Sequence, residues 1–341
     1  MRGEYISPLL QELVGYYSNR LSYKEVEKLV ERMSGEKLLS DQKIWQIIVN
    51  KAGQVSAGWQ QETEEINKKI KTDVDISSEV DIYDPDSPEI LLFDDAIGVK
   101  KQKENRVKVD EKEIDESENI PKRSRKFITT DVILLEKPSG GFQYITSPID
   151  AQGKPLIPLE EMVKSQINYY YENHESLLPV VAITDGASNI RKRLSKLGSK
   201  GITLILDWYH LCKKVRNLLS MISRNKLEKK EHSKNLLLYL WRGENAQAMN
   251  YLLSKIQTRN QQKLDELKTY LRKHESEIID YERRQKVGKS IGSGRMEKAV
   301  DIVIGHRQKR KGMSWTSLGS KALAILKVVE LNGEWQQFWF R

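Results

Sequence analysis

Apolar residues recur at helical spacing in the first part of the chain, over residues 9–14 and again over residues 26–30. A turn at residues 33–36 contains Gly35, and another amphipathic segment runs over residues 39–48. Two helices joined by a glycine-containing turn predict a helix-turn-helix-like unit. Plain packing of two helices produces the same pattern, so DNA binding and a purely structural role both stay open for this unit.

A polar helix is predicted over residues 54–73. Acidic residues and two prolines, Pro85 and Pro88, follow it. Because prolines and clustered acids do not continue a helix, we place a linker there. The predicted organisation is a helical DNA-binding domain over residues 1–72, a linker over residues 73–88 and a new domain from residue 89.

Short apolar runs dominate the next part of the chain and predict strands. The first begins at Ile90 and reaches Asp94 and Asp95. Runs at residues 129–136 and 142–145 flank a Gly-Gly pair and predict a hairpin. Further strands, at residues 180–184 and 202–207, alternate with predicted helices, which lie at residues 159–172 and 187–197.

Three antiparallel strands followed by alternating helix and strand predict an α/β sheet of mixed direction. The charge-dense residues 98–125 are predicted to form a long exposed hairpin or loop. Residues 208–285 have an almost entirely helical pattern. This helical stretch separates the strand carboxylates from an acidic residue near the end of the chain, Glu297.

Composition narrows the class of partner. The chain of 341 residues has 57 Lys plus Arg against 48 Asp plus Glu, a net charge of +9 and a pI near 9.2. Such a surface attracts polyanions, and nucleic acid is the leading partner class. The single cysteine, Cys212, excludes an intrachain disulfide framework and a Cys-rich zinc ribbon. With no long apolar span and no signal-peptide layout, we expect a soluble protein of the cytoplasm.

Three widely separated carboxylate positions stand out. Asp185 follows an apolar strand, precedes Gly186 and a helix, and is predicted to lie at the carboxyl edge of the sheet or to cap the helix. Only one of Asp94 and Asp95 can face the same site, because consecutive strand residues point to opposite faces, and both are solvated if the strand simply ends there. Carboxylates so scattered on a basic chain predict a folded Mg²⁺ site acting on nucleic-acid phosphates.

The third position lies in the sequence Gly-Ser-Gly-Arg-Met-Glu, residues 292–297. Glu297 is either a site carboxylate or a capping partner for Ser293 or Gly294, and Asp301 is a competing acid one turn on. Asp207 and His210 repeat the pattern of a strand followed by a carboxylate. The chain has too few His and Cys residues for a zinc site here, so Asp207 is predicted to cap a helix and His210 to position a neighbour or contact phosphate.

Taken together, these segments resemble DDE-type transposases of bacterial insertion sequences, in the groups related to eukaryotic Mutator-like elements (ISKra- and ISLre-like). The segments that carry the resemblance lie at residues 93–99, 183–187, 207–218, 292–297 and 306–315. The resemblance covers roughly residues 90–341. It implies an RNase H-like mixed sheet with a helical insertion, dividing the chain into a first core part over 89–223, an insertion over 224–288 and C-terminal core helices over 289–341.

The resemblance also implies roles for individual residues. Asp95, Asp185 and Glu297 would be catalytic and would hold two Mg²⁺ or Mn²⁺ ions, with Asp95 preferred to Asp94 because Ala96 and Val99 follow the family spacing. Asp207 and His210 would be auxiliary. The residues expected to contact DNA are Lys43, Lys213, Lys214, Arg216, Arg295, Lys298, Arg307, Lys309, Arg310 and Lys311.

The implied function is cleavage of element ends and strand transfer into target DNA, by a homodimer or larger assembly in the bacterial nucleoid. Relatives often carry more sequence before the segment at residues 5–8. The alternative is therefore a shortened or inactive transposase-derived protein that binds DNA without catalysis. A nuclease that hydrolyses DNA without strand transfer is a third hypothesis.

Overall fold

The structure is a computed structural model and describes residues 5–69, 76–77, 80–103, 127–171, 178–197, 202–310 and 312–340. The strands are β1 (Ile76–Ser77), β2 (Ile90–Lys100), β3 (Phe127–Glu136), β4 (Phe142–Ile145), β5 (Leu178–Thr184) and β6 (Thr203–Leu206). The helices are α1 (Pro8–Ser18), α2 (Tyr23–Ser34), α3 (Asp41–Lys69), α4 (Leu159–Tyr171), α5 (Ser188–Leu194), α6 (Trp208–Ile222), α7 (Lys226–Trp241), α8 (Asn245–Ser254), α9 (Gln261–Lys273), α10 (Tyr281–Lys286), α11 (Gly294–Val300), α12 (His306–Gln308), α13 (Ser317–Leu331) and α14 (Trp335–Trp339).

A mixed five-stranded sheet in the order β4-β3-β2-β5-β6 forms the centre of the molecule, and the two-residue β1 also pairs with β5. β2, β3 and β4 are antiparallel neighbours, whereas β5 runs parallel to both β2 and β6. The strands β2 and β5 are continuously apolar before their carboxylates because both faces of the sheet are covered. The predicted mixed α/β sheet is confirmed.

The hairpin between β3 and β4 turns at Gly140 and Gly141, both with positive φ. Glycine is needed there because other residues adopt that conformation at a cost. The strands and helices predicted between residues 129 and 207 are all present, within a few residues of the predicted ends.

Two predicted boundaries were wrong. β2 does not stop at Asp94 and Asp95 but continues to Lys100, because β3 pairs with it along that length. Residues 98–100 are therefore strand and not loop, and residues 104–126 of the charge-dense stretch lie outside the described residues. Residues 41–69 form one helix, α3, where two helical segments were predicted, since nothing in residues 49–53 breaks the helix and Ala52 is buried in it.

The helices α1–α3 share a hydrophobic core with the rest of the molecule. α3 packs along α13, and Val26, Ile48 and Val328 all belong to one buried apolar cluster. Asn19 and Arg20, just after α1, reach the carboxylate of Glu330 at the end of α13. The division of the chain into separate domains stays a prediction.

A buried ion pair joins the end of the helical stretch to the residue just before β2. The Arg284 side chain is fully buried and donates to both carboxylate oxygens of Glu89, at 3.0 and 2.6 Å. It also donates to the backbone carbonyls of Ile82 and Ser290.

None of the described helices combines the length and apolar character needed to cross a bilayer.

Candidate functional site

Three aspartates lie at the same level, one within and two directly after neighbouring parallel strands. The last residue pair between β2 and β5 is Phe93 with Ile183, so Asp95 and Asp185, two residues further on, continue that register. Residues at the same register of neighbouring strands project from the same face. Asp207 directly follows β6, and its backbone N–H donates to the Thr184 carbonyl at 2.8 Å. The carboxyl edge of the parallel strands is therefore acidic.

Asp94 and Asp95 have different surroundings. The Asp94 side chain is buried on the opposite face, 3.4 Å from an Arg193 nitrogen, and its Oδ2 has no hydrogen-bond partner. Burial raises its pKa to about 8. Asp95 is half-buried. Burial also raises the pKa of Asp95, and the charges of Asp185 and Glu297 add to that rise while His210 opposes it. Asp95 therefore lies within electrostatic reach of Asp185, His210 and Glu297, and the choice of Asp95 over Asp94 stays a prediction.

Asp185 sits in a tight turn between β5 and α5. Its Oδ1 accepts the backbone N–H of Ala187 at 2.8 Å, and the next residue, Gly186, has φ +79°. A Cβ on Gly186 would lie only 2.6 Å from His274 Cε1, so glycine is required both for conformation and for space. The helix begins two residues later than an N-cap role for Asp185 requires, because Ala187 occupies the N-cap position without a side-chain bond.

Asp207 connects two segments that are 86 residues apart in sequence. As predicted, it caps α6, where its Oδ1 accepts the His210 N–H at 2.7 Å. Its Oδ2 accepts the backbone N–H of Ser293, just before α11. Burial acts to raise the pKa of Asp207, but the His210 and Ser293 contacts outweigh it and lower the pKa to about 2. Asp207 is thus an ionised clasp that fixes the start of the Glu297 helix.

The Gly-Ser-Gly segment fits tightly against this clasp. A Cβ on Gly292 would lie 2.7 Å from the Tyr209 ring, and the Trp208 N–H donates to the Ile291 carbonyl. The structure thereby brings together two segments, at residues 207–210 and 291–294, that the sequence pattern singled out separately.

Glu297 lies in the first turn of α11 with its side chain exposed. The capping alternative is not realised, since the Ser293 N–H that a capping glutamate would accept is bonded to Asp207 instead. Among the described residues, Glu297 makes no side-chain hydrogen bond or ion pair. Asp301, the competing acid, is paired with His306 at 2.7 Å. Glu297 is therefore the acid of this helix that is free to bind a ligand.

His210 lies in the first turn of α6, next to the acidic edge. Its Nδ1 is 3.3 Å from Asp207 Oδ1. The contact with Asp207 raises the pKa of His210; burial opposes that rise, and the charges of Asp185 and Glu297 add to it. A protonated imidazole at this point would suit contact with a phosphate oxygen.

A basic cleft opens beside Asp185, between α6 and the end of α9. Its lining includes Asp185, His210, Lys213, Lys214, Tyr270, Lys273 and His274. Lys214 is 2.8 Å from Glu266, whereas Lys213 and Lys273 are exposed. The predicted pair Lys213 and Lys214 therefore lies next to a predicted site carboxylate, as contact with a nucleic-acid phosphate would require.

The helical stretch supplies cleft residues that the sequence did not single out. His274 is buried, and its Nδ1 lies 2.7 Å from Glu277 Oε2. Glu277 also pairs with Arg191 of α5 at 2.7 Å. These contacts hold the end of α9 against the Asp185 turn. No spacing signal could have found them, because nearly 90 residues separate His274 from Asp185.

The other residues predicted to contact DNA are distributed unequally. Arg216, Arg295, Lys298, Lys309 and Arg310 are exposed, and Lys43 is half-buried at the start of α3. The prediction for Arg307 was wrong. Its side chain is buried, donates to the Ser18 carbonyl at 2.7 Å and lies over the Tyr23 and Trp315 rings, because it joins α1 and α2 to the C-terminal helices. Lys311 lies outside the described residues.

The donor set is chemically suited to a hard divalent cation, since its members are carboxylates. Within the described parts of the chain, however, no three His, Cys, Asp or Glu side chains form a group arranged to hold a metal ion. Asp95 and Asp185 share a register. Glu297 is exposed, and its connection to them is the effect of its charge on the pKa of Asp95. Binding of a metal by all three would need the Glu297 side chain to turn inward.

Comparison with known proteins defines the family. Residues 149–338 match the model of the Uncharacterised protein family (UPF0236), so the chain belongs to that family. A comparison with curated sequences gave no significant match. Among solved structures, the chain matches the Drosophila P element transposase strand transfer complex at 10% identity and a TM-score of 0.27, over 99% of this chain and 81% of that one. A likeness this low carries no argument about fold or function.

Proposed function

We propose that the protein is a DDE-type transposase with an RNase H-like core, which cuts DNA at element ends and joins them to target DNA. The observation that carries the proposal is the shared register of Asp95 in β2 and Asp185 just after β5, together with the Asp207 clasp, which fixes the start of the helix that carries the unpaired Glu297. The mixed order of the sheet supports an RNase H-like core. The sequence resemblance supports the reaction class.

The proposed cofactor is a pair of Mg²⁺ or Mn²⁺ ions held by Asp95, Asp185 and Glu297. A cation would offset the mutual repulsion that helps to raise the pKa of Asp95. The chemistry that such ions supply is activation of the attacking water or 3′-hydroxyl and stabilisation of the leaving oxygen.

The chain's own residues would bind and orient the DNA. Lys213 and Lys273 would contact backbone phosphates in the cleft, and His210 would contact the phosphate nearest Asp185. Because two element ends are processed together in this class of reaction, we propose that a dimer or larger assembly is the active form in the nucleoid.

The test is an incubation of purified protein with labelled duplexes that carry the genomic flanks of its gene, with Mn²⁺ or with EDTA. We expect nicking at an end and a joined product with Mn²⁺, and loss of both in Asp185→Asn and Glu297→Gln with DNA binding retained. Asp301→Asn is the matched control, because it removes an acid one turn from Glu297 that is already paired with His306. Cleavage that persists in both site variants would refute the triad.

A second candidate is DNA binding without catalysis. It is favoured by the lack, among the described residues, of a three-residue group arranged for a metal ion. It predicts binding that survives EDTA and no nicking with any divalent ion. A nuclease would nick but give no joined product, which separates it from a transposase.

A further inference from the structure

The exposed face of the first half of α3 carries a line of amide side chains. Gln42, Gln46, Asn50 and Gln54 follow one another at intervals of four residues, and all four are exposed. Side chains four apart lie above one another on a helix, so the four amides form one stripe a little over three turns long. The opposite face, which includes Ile44, is buried in the core.

These four amides differ from the other amides of the same helix. Gln60 and Gln61 donate to Glu64 and Glu65, one turn on, at 3.1 and 2.9 Å. Within the described part of the chain, no side-chain hydrogen bond is made by the four stripe residues. Their donors and acceptors are therefore available to a partner.

The charged residues along the stripe are lysines, without carboxylates. Residues 42–61 contain no Asp or Glu, although the whole chain has 48 of them. Two lysines, Lys43 and Lys51, flank the stripe along a groove that Gln46, Asn50 and Gln54 also line. Lys51 lies 5.0 Å from the Trp339 ring, which keeps its charge at the edge of this groove. A surface with lysines and without carboxylates suits a polyanion.

We propose that this amide stripe reads base edges in the major groove of double-stranded DNA. The major groove admits an α-helix, and Asn and Gln side chains can make two hydrogen bonds to adenine there. The preceding helix, α2, ends at Gly35 with φ +79° and packs against α3, which gives the order of helix, turn and helix in which the second helix enters the groove. Lys43 and Lys51 would hold the flanking phosphates.

This inference rests on the proposed function for its partner, DNA, but assigns sequence recognition to a surface far from the acidic edge in sequence. The experiment begins with selection of preferred sequences from a random duplex library by the full-length protein in EDTA, where cleavage is absent. The dissociation constants of the selected duplex and a scrambled duplex are then measured by fluorescence anisotropy at one fixed salt concentration.

We expect Gln46→Ala and Asn50→Ala each to weaken binding of the selected duplex by about tenfold and to leave the scrambled duplex nearly unchanged. Gln61→Ala is the matched control, because it removes the same amide from the same helix where that amide is already bonded to Glu65. We expect it to bind both duplexes like the unchanged protein, and melting temperatures of all three variants should agree.

Three results would overturn the inference: no preferred sequence emerges, the stripe variants bind the selected duplex normally, or they lose the selected and scrambled duplexes equally. The third result would reduce the stripe to a phosphate contact or indicate a protein partner for this face. Failure of the proposed catalysis is seen separately. A protein that keeps its selected sequence but never nicks DNA would retain the recognition surface and lose the transposase.

Discussion

The Asp207 carboxylate positions the candidate site by binding backbone N–H groups of two neighbouring segments. It accepts N–H groups from His210 and Ser293, and with them it sets where α11 begins. Substitution to Asn keeps the size but turns one acceptor into a donor that faces an N–H group. We expect Asp207→Asn to lower the free energy of unfolding by about 1–3 kcal/mol. It should also reduce metal-dependent cleavage, because Glu297 lies on α11 and moves with it.

The pH dependence of Asp207→Asn gives an independent check. The folded-state pKa of about 2 lies below the value of about 4 in an unfolded chain, so ionisation of Asp207 stabilises the fold above pH 4 and this contribution disappears as pH falls toward 2. Chemical denaturation of both proteins between pH 3 and pH 7 should show a difference that narrows toward the acid end. A constant difference would mean that the charge of Asp207 is not involved.

For Asp94, the dependence of stability on pH has the opposite sign. Its folded-state pKa of about 8 lies above the unfolded value of about 4, so the stability that goes with its protonated form is complete below pH 4 and is lost as pH rises to 8. We expect Asp94→Asn to be more stable than the unchanged protein at pH 8.5 by at least about 1 kcal/mol, with the difference shrinking as pH falls toward about 4. Melting curves across this range measure it. A gain that is largest at pH 5 would contradict the assignment.

At the scale of elements, the turn after β5 depends on close approach between the helical stretch and the sheet. Gly186 and Gly140 share a positive φ, but only Gly186 has a neighbour, His274, where a Cβ would be. We expect Gly140→Ala to cost about 1 kcal/mol from backbone strain. Gly186→Ala should cost clearly more and should also impair cleavage, since the turn carries Asp185.

Calorimetric melting and a cleavage assay of the two glycine variants provide the measurement. The Gly140→Ala protein serves as the control for strain alone, because, apart from the adjoining residues, no atom in the described part of the chain lies within 4 Å of the added carbon. Equal losses of stability in the two variants would show that the His274 contact yields without cost. Normal cleavage by Gly186→Ala would show that the turn tolerates displacement.

The elements of the sheet were predictable because short apolar runs bounded by glycines and acids are specific local signals, as in β4 and β5. The end of β2 was not, since its length is set by pairing with β3, and the partners of residues 96–100 lie 27 to 35 positions further along the chain. The length of α3 was missed for a related reason. Its polar second half remains helical because Trp59 and Thr63 stay buried against the rest of the molecule.

For the candidate site, the sequence indicated Asp185 and Glu297 but not what surrounds them. The choice of Asp95 over Asp94 came from resemblance and stays a prediction; the structure adds that Asp94 is buried and Asp95 half-buried, a difference that no parity argument could supply. The sequence could not show that Arg307 is buried while the other basic residues near α11 are exposed. An arginine that stacks on aromatic rings and donates to a backbone carbonyl has the same sequence signature as one that binds phosphate.

At the scale of the whole molecule, the N-terminal helices are held by a shared core and by polar contacts. The Arg307 side chain donates to Ser18, and Glu330 accepts from Arg20. Ile48 of α3 and Val328 of α13 are fully buried in the same apolar cluster. A DNA-reading helix fixed in this way would transmit the position of bound DNA to the rest of the protein without a flexible hinge.

The corresponding expectation is that α1–α3 and the sheet unfold together. Because Ile48 is fully buried, Ile48→Ala should cost about 2–5 kcal/mol. In scanning calorimetry we expect one transition for the unchanged protein and one transition at lower temperature for the variant. Melting curves followed by far-ultraviolet circular dichroism and by tryptophan fluorescence should coincide. Gln61→Ala, exposed on the same helix, should leave the transition in place. Two transitions, only one of them shifted by Ile48→Ala, would mean that the N-terminal helices form an independent domain, as the proline-containing linker in the sequence first indicated.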